Sequence, residues 1–338
     1  MKPSVLKERL KIILSTAGKM RNVMIKGAPG VGKTMLVEQA MKEIGIELMI
    51  THPVVADPTD YKGLPIKVVD PETGEEGAKF VPYAQLKYMI NATNPLAVFI
   101  DDLGQAPRAN QCAIMQIIMQ REIDGHPISD HVRFVMATNR AGDRAGCDAG
   151  IIEPLKSRAR IYELDPDLDD WAKWALTDGN IVPDMVAFLR SRPTLLHDFE
   201  ATKNMVNTPN PRTWNMASES VNDGLDELED LGACVGEGPA SEYIAFRRTF
   251  NSMPNPDGLI MKPDTAAVPT KPDVLFAVAG ALAYRAKTTN FSSVLTYAAR
   301  MPKEFETVLV RDAIFRDDSL EKTDAFTKWA TDNSEWVL

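Results

Sequence analysis

The most specific chemistry in the chain sits in eight consecutive residues, Gly27-Ala28-Pro29-Gly30-Val31-Gly32-Lys33-Thr34, which match G-x-x-x-x-G-K-[ST] at every fixed position. Glycines let the backbone curl so that successive N–H groups point inward at phosphate oxygens. A helix starting at Thr34 would turn its positive end toward the same anion. Lys33 is then placed to reach the β- and γ-phosphates of ATP, and the Thr34 hydroxyl to ligate Mg2+.

A second group lies on apolar runs further along. Leu96-Ala97-Val98-Phe99-Ile100 ends on Asp101-Asp102. Two acids at the end of a buried strand can simply cap the next turn. Beside a phosphate loop they acquire separate tasks: Asp101 holds Mg2+, directly or through water, and Asp102 polarises the attacking water. Val132–Thr138 is another apolar run and ends on Asn139, an amide able to orient that water. Leu155-Lys156-Ser157-Arg158-Ala159-Arg160 leads into a last strand. An arginine there can point into a neighbour's site and neutralise transition-state charge; Arg158 is the first candidate and Arg160 the competing one. In Thr208-Pro209-Asn210-Pro211-Arg212-Thr213-Trp214, Asn210 reads as an N-cap and Pro211 as the first helical residue. Arg212 then falls in the first turn, able to reach phosphates across a cleft.

These residues need a scaffold, and the hydrophobic periodicity supplies one. Apolar strands are predicted at about 22–26, 46–51, 96–100, 132–138 and 159–164. Helices are predicted at 3–16 (ended by Ala17-Gly18), 34–44, 83–92 and 109–120. Strands alternating with helices imply a parallel five-stranded sheet covered on both faces, an α/β fold. Residues 63–82 read as an inserted hairpin turning at Pro71-Glu72-Thr73-Gly74, and a smaller hairpin turns at Asp124-Gly125. After Asp165 the strands stop. Helices are predicted at 168–176, 181–191, 211–222, 273–286, 290–300 and 320–331. The expected domains are therefore 1–165, α/β and nucleotide-binding, and 166–338, an all-α lid with a C-terminal extension. Pro254–Pro272 reads as an extended loop.

Composition narrows the function classes. Of 338 residues, 44% are hydrophobic and 25% charged, which is ordinary globular usage. The 38 basic and 47 acidic residues give a net charge of −9, against sequence-independent coating of nucleic acid, which needs a basic footprint. No apolar stretch approaches a membrane span, and the N-terminus lacks the apolar core of a signal peptide. Three cysteines, Cys112, Cys147 and Cys234, form no disulfide framework, so a reducing, cytoplasmic location is expected. Asp165-Pro166-Asp167-Leu168-Asp169 opens like a calcium loop but has Asp170 and Leu176 where glycine and glutamate belong. These acids favour a helix start instead. His126 and His131 have no second liganding pair for zinc, and Trp171 and Trp174 at i, i+3 read as packing.

The order of these motifs resembles an AAA+ ATPase of the MoxR branch. Ala56-Asp57-Pro58-Thr59-Asp60-Tyr61-Lys62-Gly63-Leu64-Pro65 is similar to that branch's stretch after the second strand, and Asp101-Asp102-Leu103-Gly104-Gln105-Ala106 to its Asp-Glu-x-x-x-Ala. Asp169-Asp170-Trp171-Ala172-Lys173-Trp174-Ala175 and Lys328-Trp329 resemble a subset with a longer helical C-terminus. The resemblance is strong over about 20–165, good around 205–216 and weak from 235 on. It implies a ring, usually of six, with ATP bound between subunits. Arg158 would act on the neighbour's nucleotide and Arg212 on its own. Hairpins at about 63–82 and 122–131 would face the pore and engage a protein client. A von Willebrand A-domain protein is a common partner in the branch. Two positions depart from the pattern: Asp102 stands where glutamate is usual, and Ala159 follows Ser157-Arg158 where an aromatic is usual. A remodelling motor is the first reading. Its rivals are an ATP-gated scaffold that barely turns over and a DNA-acting AAA+ loader.

Overall fold

Strand β1 (Val23–Lys26) is buried along most of its length and runs straight into the glycine loop. The computed structural model describes residues 1–16, 21–69, 71–123, 125–143, 150–199 and 205–336. The remaining strands are β2 (Glu47–Thr51), the hairpin β3 (Leu64–Val69) and β4 (Glu76–Val81), β5 (Leu96–Ile100), the short pair β6 (Glu122–Ile123) and β7 (His126–Pro127), β8 (Val132–Thr138) and β9 (Arg160–Glu163). Five of them form one parallel sheet in the order β2-β5-β8-β1-β9. Parallel neighbours need crossovers, and helices supply them. In this half α1 (Pro3–Ser15) precedes β1, and α2 (Lys33–Glu43), α3 (Thr59–Lys62), α4 (Ala84–Ile90), α5 (Arg108–Gln120) and α6 (Glu153–Lys156) come after it in chain order.

Alternation along the central strands sorts side chains to two cores. Met24, Val98, Ile100, Phe134 and Met136 pack with Ile114, Ile117 and Ile118 of α5 on one face. Val23, Ile25, Phe99, Val135 and Ala137 pack with α1 and α2 on the other. A sheet covered on both faces explains why β5 and β8 are apolar at nearly every position. The register puts the C-terminal ends of β1, β5 and β8 side by side, with Ile100 opposite Met136 and Lys26 opposite Thr138. The loops after these ends carry the motif residues.

Two compact units divide the chain, with the boundary between Asp165 and Pro166. The second is helical: α7 (Leu168–Leu176), α8 (Pro183–Ser191), α9 (Pro211–Asn222), α10 (Leu228–Val235), α11 (Glu237–Ser252), α12 (Pro256–Met261), α13 (Pro272–Arg285), α14 (Phe291–Ala298), α15 (Lys303–Arg316) and α16 (Asp324–Asp332). Asp167 caps α7 by accepting from the Asp170 N–H, the role expected of that acidic run. Trp171 is buried in the core of this unit, and Trp174 packs against it. Arg190 lies between Asp169 and Asp312, and both Arg190 and Asp312 are buried.

Several expectations need correction. The stretch Pro254–Pro272 is not wholly an extended loop. Asn255 accepts from the Asp257 N–H and starts α12, with Pro256 in the first turn. Two hydrogen bonds pin the segment after α12: Tyr297 Oη donates to Ala267 O at 2.9 Å, and Arg300 Nη1 to Pro263 O at 2.6 Å. Helices α10, α11 and α15 were not expected at all. Two expected features, the stop at Ala17-Gly18 and Asp124 of the small hairpin turn, lie outside the described residues.

Candidate nucleotide site

The loop between β1 and α2 has the curl its glycines allow. Gly32, the N-cap of α2, has φ 89°, a left-handed value that disfavours any side chain. Gly27 is needed for space, since a Cβ there would meet Leu164 O at 3.0 Å. Lys33 opens α2 and is buried. Its ammonium donates to Gly27 O at 3.1 Å, Ala28 O at 3.0 Å and Asn139 Oδ1 at 2.8 Å. The loop thus bends back over its own lysine and onto the amide that ends β8. Thr34, next on the helix, donates its hydroxyl to Asp101 Oδ2 at 2.8 Å.

Asp101 and Asp102 leave β5 in different conformations. The Asp101 N–H continues the ladder to Thr51 O at 3.0 Å. Asp102 takes φ 51°, ψ 33°, a left-handed conformation that aspartate tolerates better than most residues. Its N–H donates to Asp101 Oδ1 at 2.9 Å, and its C=O accepts from the Gln105 N–H at 2.9 Å. The backbone of Asp102 is therefore fixed on both sides within a tight turn over Leu103–Gln105.

Five predicted residues meet here: Lys33, Thr34, Asp101, Asp102 and Asn139, with Gly27 and Ala28 supplying backbone acceptors. The contacts join positions 67 and 106 residues apart in sequence. Arg158 belongs to the same unit, but its guanidinium bonds locally, donating to Pro154 O at 2.8 Å and Ser157 Oγ at 3.0 Å. Arg160 is exposed on β9, at the edge of the sheet. Arg212 is exposed in the first turn of α9 in the helical unit. There Asn210 accepts from the N–H groups of Arg212 and Thr213, and Thr213 Oγ1 accepts from the Asn210 N–H, a capping box.

The donor set fits a small hard cation. Thr34 Oγ1 and Asp101 Oδ2 are oxygen ligands within hydrogen-bond distance, the kind Mg2+ takes alongside substrate phosphates. Among the described residues no three His, Cys, Asp or Glu side chains gather as a metal site. The geometry can cradle a polyphosphate, hold a cation beside it and present a carboxylate and an amide to a water.

One buried residue beside this group carried no signal in the sequence. Gln111 on α5 bonds to Ala106, Gly150 and Ile152. A glutamine inside an amphipathic helix has no spacing rule that distinguishes it from a solvated one.

Residues 23–146 match the family described as ATPase family associated with various cellular activities (AAA). No curated protein matches the chain. Among solved structures, a single-substitution variant of RuvB from Thermotoga maritima aligns at 18% identity over 83% of this chain and 82% of that one, with a TM-score of 0.43. NtrX from Brucella abortus, in complex with ADP, aligns at 13% identity over 99% of this chain and 68% of that one, with a TM-score of 0.42. The sheet order, the phosphate loop after β1 and the family match over 23–146 make the α/β unit an AAA+ P-loop NTPase fold, followed by a helical region. Among the described residues no helix is long and apolar enough to cross a membrane.

Proposed function

We propose that this chain is an ATP-hydrolysing AAA+ motor of the MoxR branch, working in the cytoplasm as a ring, of six subunits by the habit of that branch, on a protein client. The observation that carries this reading is the convergence of three distant motifs: Lys33 on Asn139 and Thr34 on Asp101. Residues 1–165 would act as the nucleotide domain and 166–338 as the lid with its extension.

Gly27–Thr34 would wrap the phosphates through backbone N–H groups, and the Lys33 ammonium would exchange its carbonyl and amide partners for phosphate oxygens. Thr34 and Asp101 would hold Mg2+. When bound, that ion supplies charge neutralisation across the β- and γ-phosphates. Asp102 would take the proton side of the attacking water and Asn139 would orient it. Arg158 would serve the neighbouring subunit's nucleotide, and Arg212 its own. Phosphoryl transfer is mostly positioning and electrostatics, and each of those roles has a residue. A von Willebrand A-domain partner belongs to the proposal on resemblance alone. A slow, ATP-gated scaffold is the second reading, favoured by one observation: Asp102 is a methylene shorter than the usual glutamate.

Subunit mixing tests the motor. Arg158→Ala should abolish turnover while ATP still binds, and Lys33→Ala should be inactive for want of ATP. Mixed together they should regain activity, because an ATP-loaded Arg158→Ala subunit can sit beside an intact Arg158. Equal loss of ATP binding and turnover in Arg158→Ala would count against an arginine acting across subunits. If Arg160→Ala alone gives the expected pattern, the role belongs to Arg160.

A further inference from the structure

Gln111 is fully buried on α5, and its side-chain amide makes three hydrogen bonds. Nε2 donates to Ala106 O at 3.1 Å and to Gly150 O at 2.8 Å, while Oε1 accepts from the Ile152 N–H at 3.1 Å. Ala106 closes the turn that starts at Asp102, through its N–H to Leu103 O at 3.2 Å. Ile152 is the N-cap of α6, the four-residue helix that ends two residues before Arg158. The Arg158 N–H returns to Leu155 O at 3.2 Å, and its guanidinium to Pro154 O at 2.8 Å. One amide thus joins the turn behind the two acids to the helix that aims Arg158.

A single turn of helix does not hold its own direction in water. Leu155, fully buried, plugs α6 into the core, and Asn22 Nδ2 donates to Arg158 O at 3.1 Å past its C-terminal end. The bonds from Gln111 hold its N-terminal end. They also explain why the residue is glutamine. Two carbonyls and one N–H require two donors and one acceptor in a single planar group, which only a primary amide offers. Asparagine is one methylene short, and glutamate would face two carbonyls with a carboxylate.

We propose that Gln111 is a positioning residue that sets the place of Arg158 relative to the Asp101–Asp102 turn, so that the state of one subunit's acid turn and the arginine it offers its neighbour move as one piece. This rests on the reading of Arg158 as an arginine serving the neighbouring nucleotide.

Gln111→Met keeps the volume and removes all three bonds. Calorimetry should give an ATP affinity within about twofold of native, and turnover should fall about 10²-fold, the usual cost of a 1 Å misplacement. Hydrogen exchange should show the Ile152 amide losing protection while β5 and β8 keep theirs. Mixing Gln111→Met with Lys33→Ala, whose Arg158 is intact, should restore turnover to the level of the Arg158→Ala plus Lys33→Ala control. A control that recovers while the Gln111→Met mixture stays inactive overturns the proposal, since the defect then lies with the variant's own acid turn. A control that does not recover overturns the reading of Arg158, and this proposal with it. If Gln111→Met does not fold, Ile152→Pro breaks the link from the other side, at a φ of −64° that proline adopts, and is judged by the same two mixtures.

Discussion

Asp102 decides between motor and scaffold, and its surroundings allow the outcome to be worked in advance. Asp102→Glu extends the side chain by about 1.5 Å, one carbon–carbon bond. The backbone cannot retreat to compensate, because the Asp102 N–H is held by Asp101 Oδ1 and its C=O by the Gln105 N–H. A displacement on the order of 1 Å at a reacting group costs about 10²-fold in rate, or about 2.7 kcal/mol of barrier. The φ of 51° adds about 1 kcal/mol of backbone strain for a longer side chain that cannot bond locally. Asp102→Asn is the matched control: asparagine is at ease in that conformation and keeps the shape, but loses the carboxylate, for which about 10²–10⁴-fold is typical. Steady-state ATPase of native, Asp102→Glu and Asp102→Asn proteins should therefore rank native well above both variants. ATP affinity should stay within a few-fold for all three. Native turnover equal to that of Asp102→Asn would remove Asp102 from catalysis and favour the scaffold. Asp102→Glu faster than native would refute the argument from the fixed turn.

Three other contacts give measurable outcomes. Lys33→Ala removes a buried ammonium, and a charge-assisted contact of about 1.5–3 kcal/mol corresponds to an ATP affinity lower by about tenfold or more; unchanged affinity in a titration would sink the phosphate-loop assignment. Asp312→Ala leaves the buried Arg190 short of a partner and should cost about 3–5 kcal/mol, seen as a Tm lower by about 10 °C, whereas a shift under about 2 °C would mean the pair is dispensable. Burial pushes the Asp169 carboxyl up, but Arg190 and Arg311 outweigh it and hold the group below its usual value. A depressed carboxylate stabilises above its unfolded value and loses that contribution as pH falls through the folded one, so the Tm gap between native and Asp169→Asn should be constant near neutrality and close below about pH 4; a gap that persists at low pH would assign the effect to packing.

The α/β half was legible because its physics is repetitive. Apolar runs such as Leu96–Ile100 and Val132–Thr138 read as strands buried on both faces, and each ends on a polar residue that then meets the phosphate loop. The helical half hid its elements for particular reasons. In α15, Glu306 and Asp312 are buried, Asp312 with Arg190 and Glu306 with the Trp329 indole, so polar residues fall on the inner face and the apolar stripe blurs. In α11, Gly238-Pro239 reads as a break, yet a proline in the first turn removes an N–H that had no partner anyway. The prolines around α12 read as extended chain, although Pro256 behind Asn255 is a helix start. Arg158 and Arg212 were read from residue type and position alone; Arg158 bonds within its own turn to Pro154 and Ser157, and Gln111, 47 positions earlier, bonds to Ile152 at the start of α6, a link that no local pattern carries.

The β3–β4 hairpin raises a practical matter of solubility. Every residue of both strands is exposed, among them Leu64, Ile66, Val68, Val69, Phe80 and Val81. A two-stranded hairpin that exposes apolar side chains along both strands is a template for accidental pairing between molecules. The hairpin carries its own deterrents: Pro65 withholds an N–H from one edge, and Lys67 paired with Glu76 at 2.6 Å lays charge across a face. Lys79 sits opposite Ile66 on the other face. Replacing both lysines with apolar residues leaves the parallel sheet and its phosphate loop untouched but strips a charge from each face of the hairpin, so such a variant should associate at concentrations where the native chain does not.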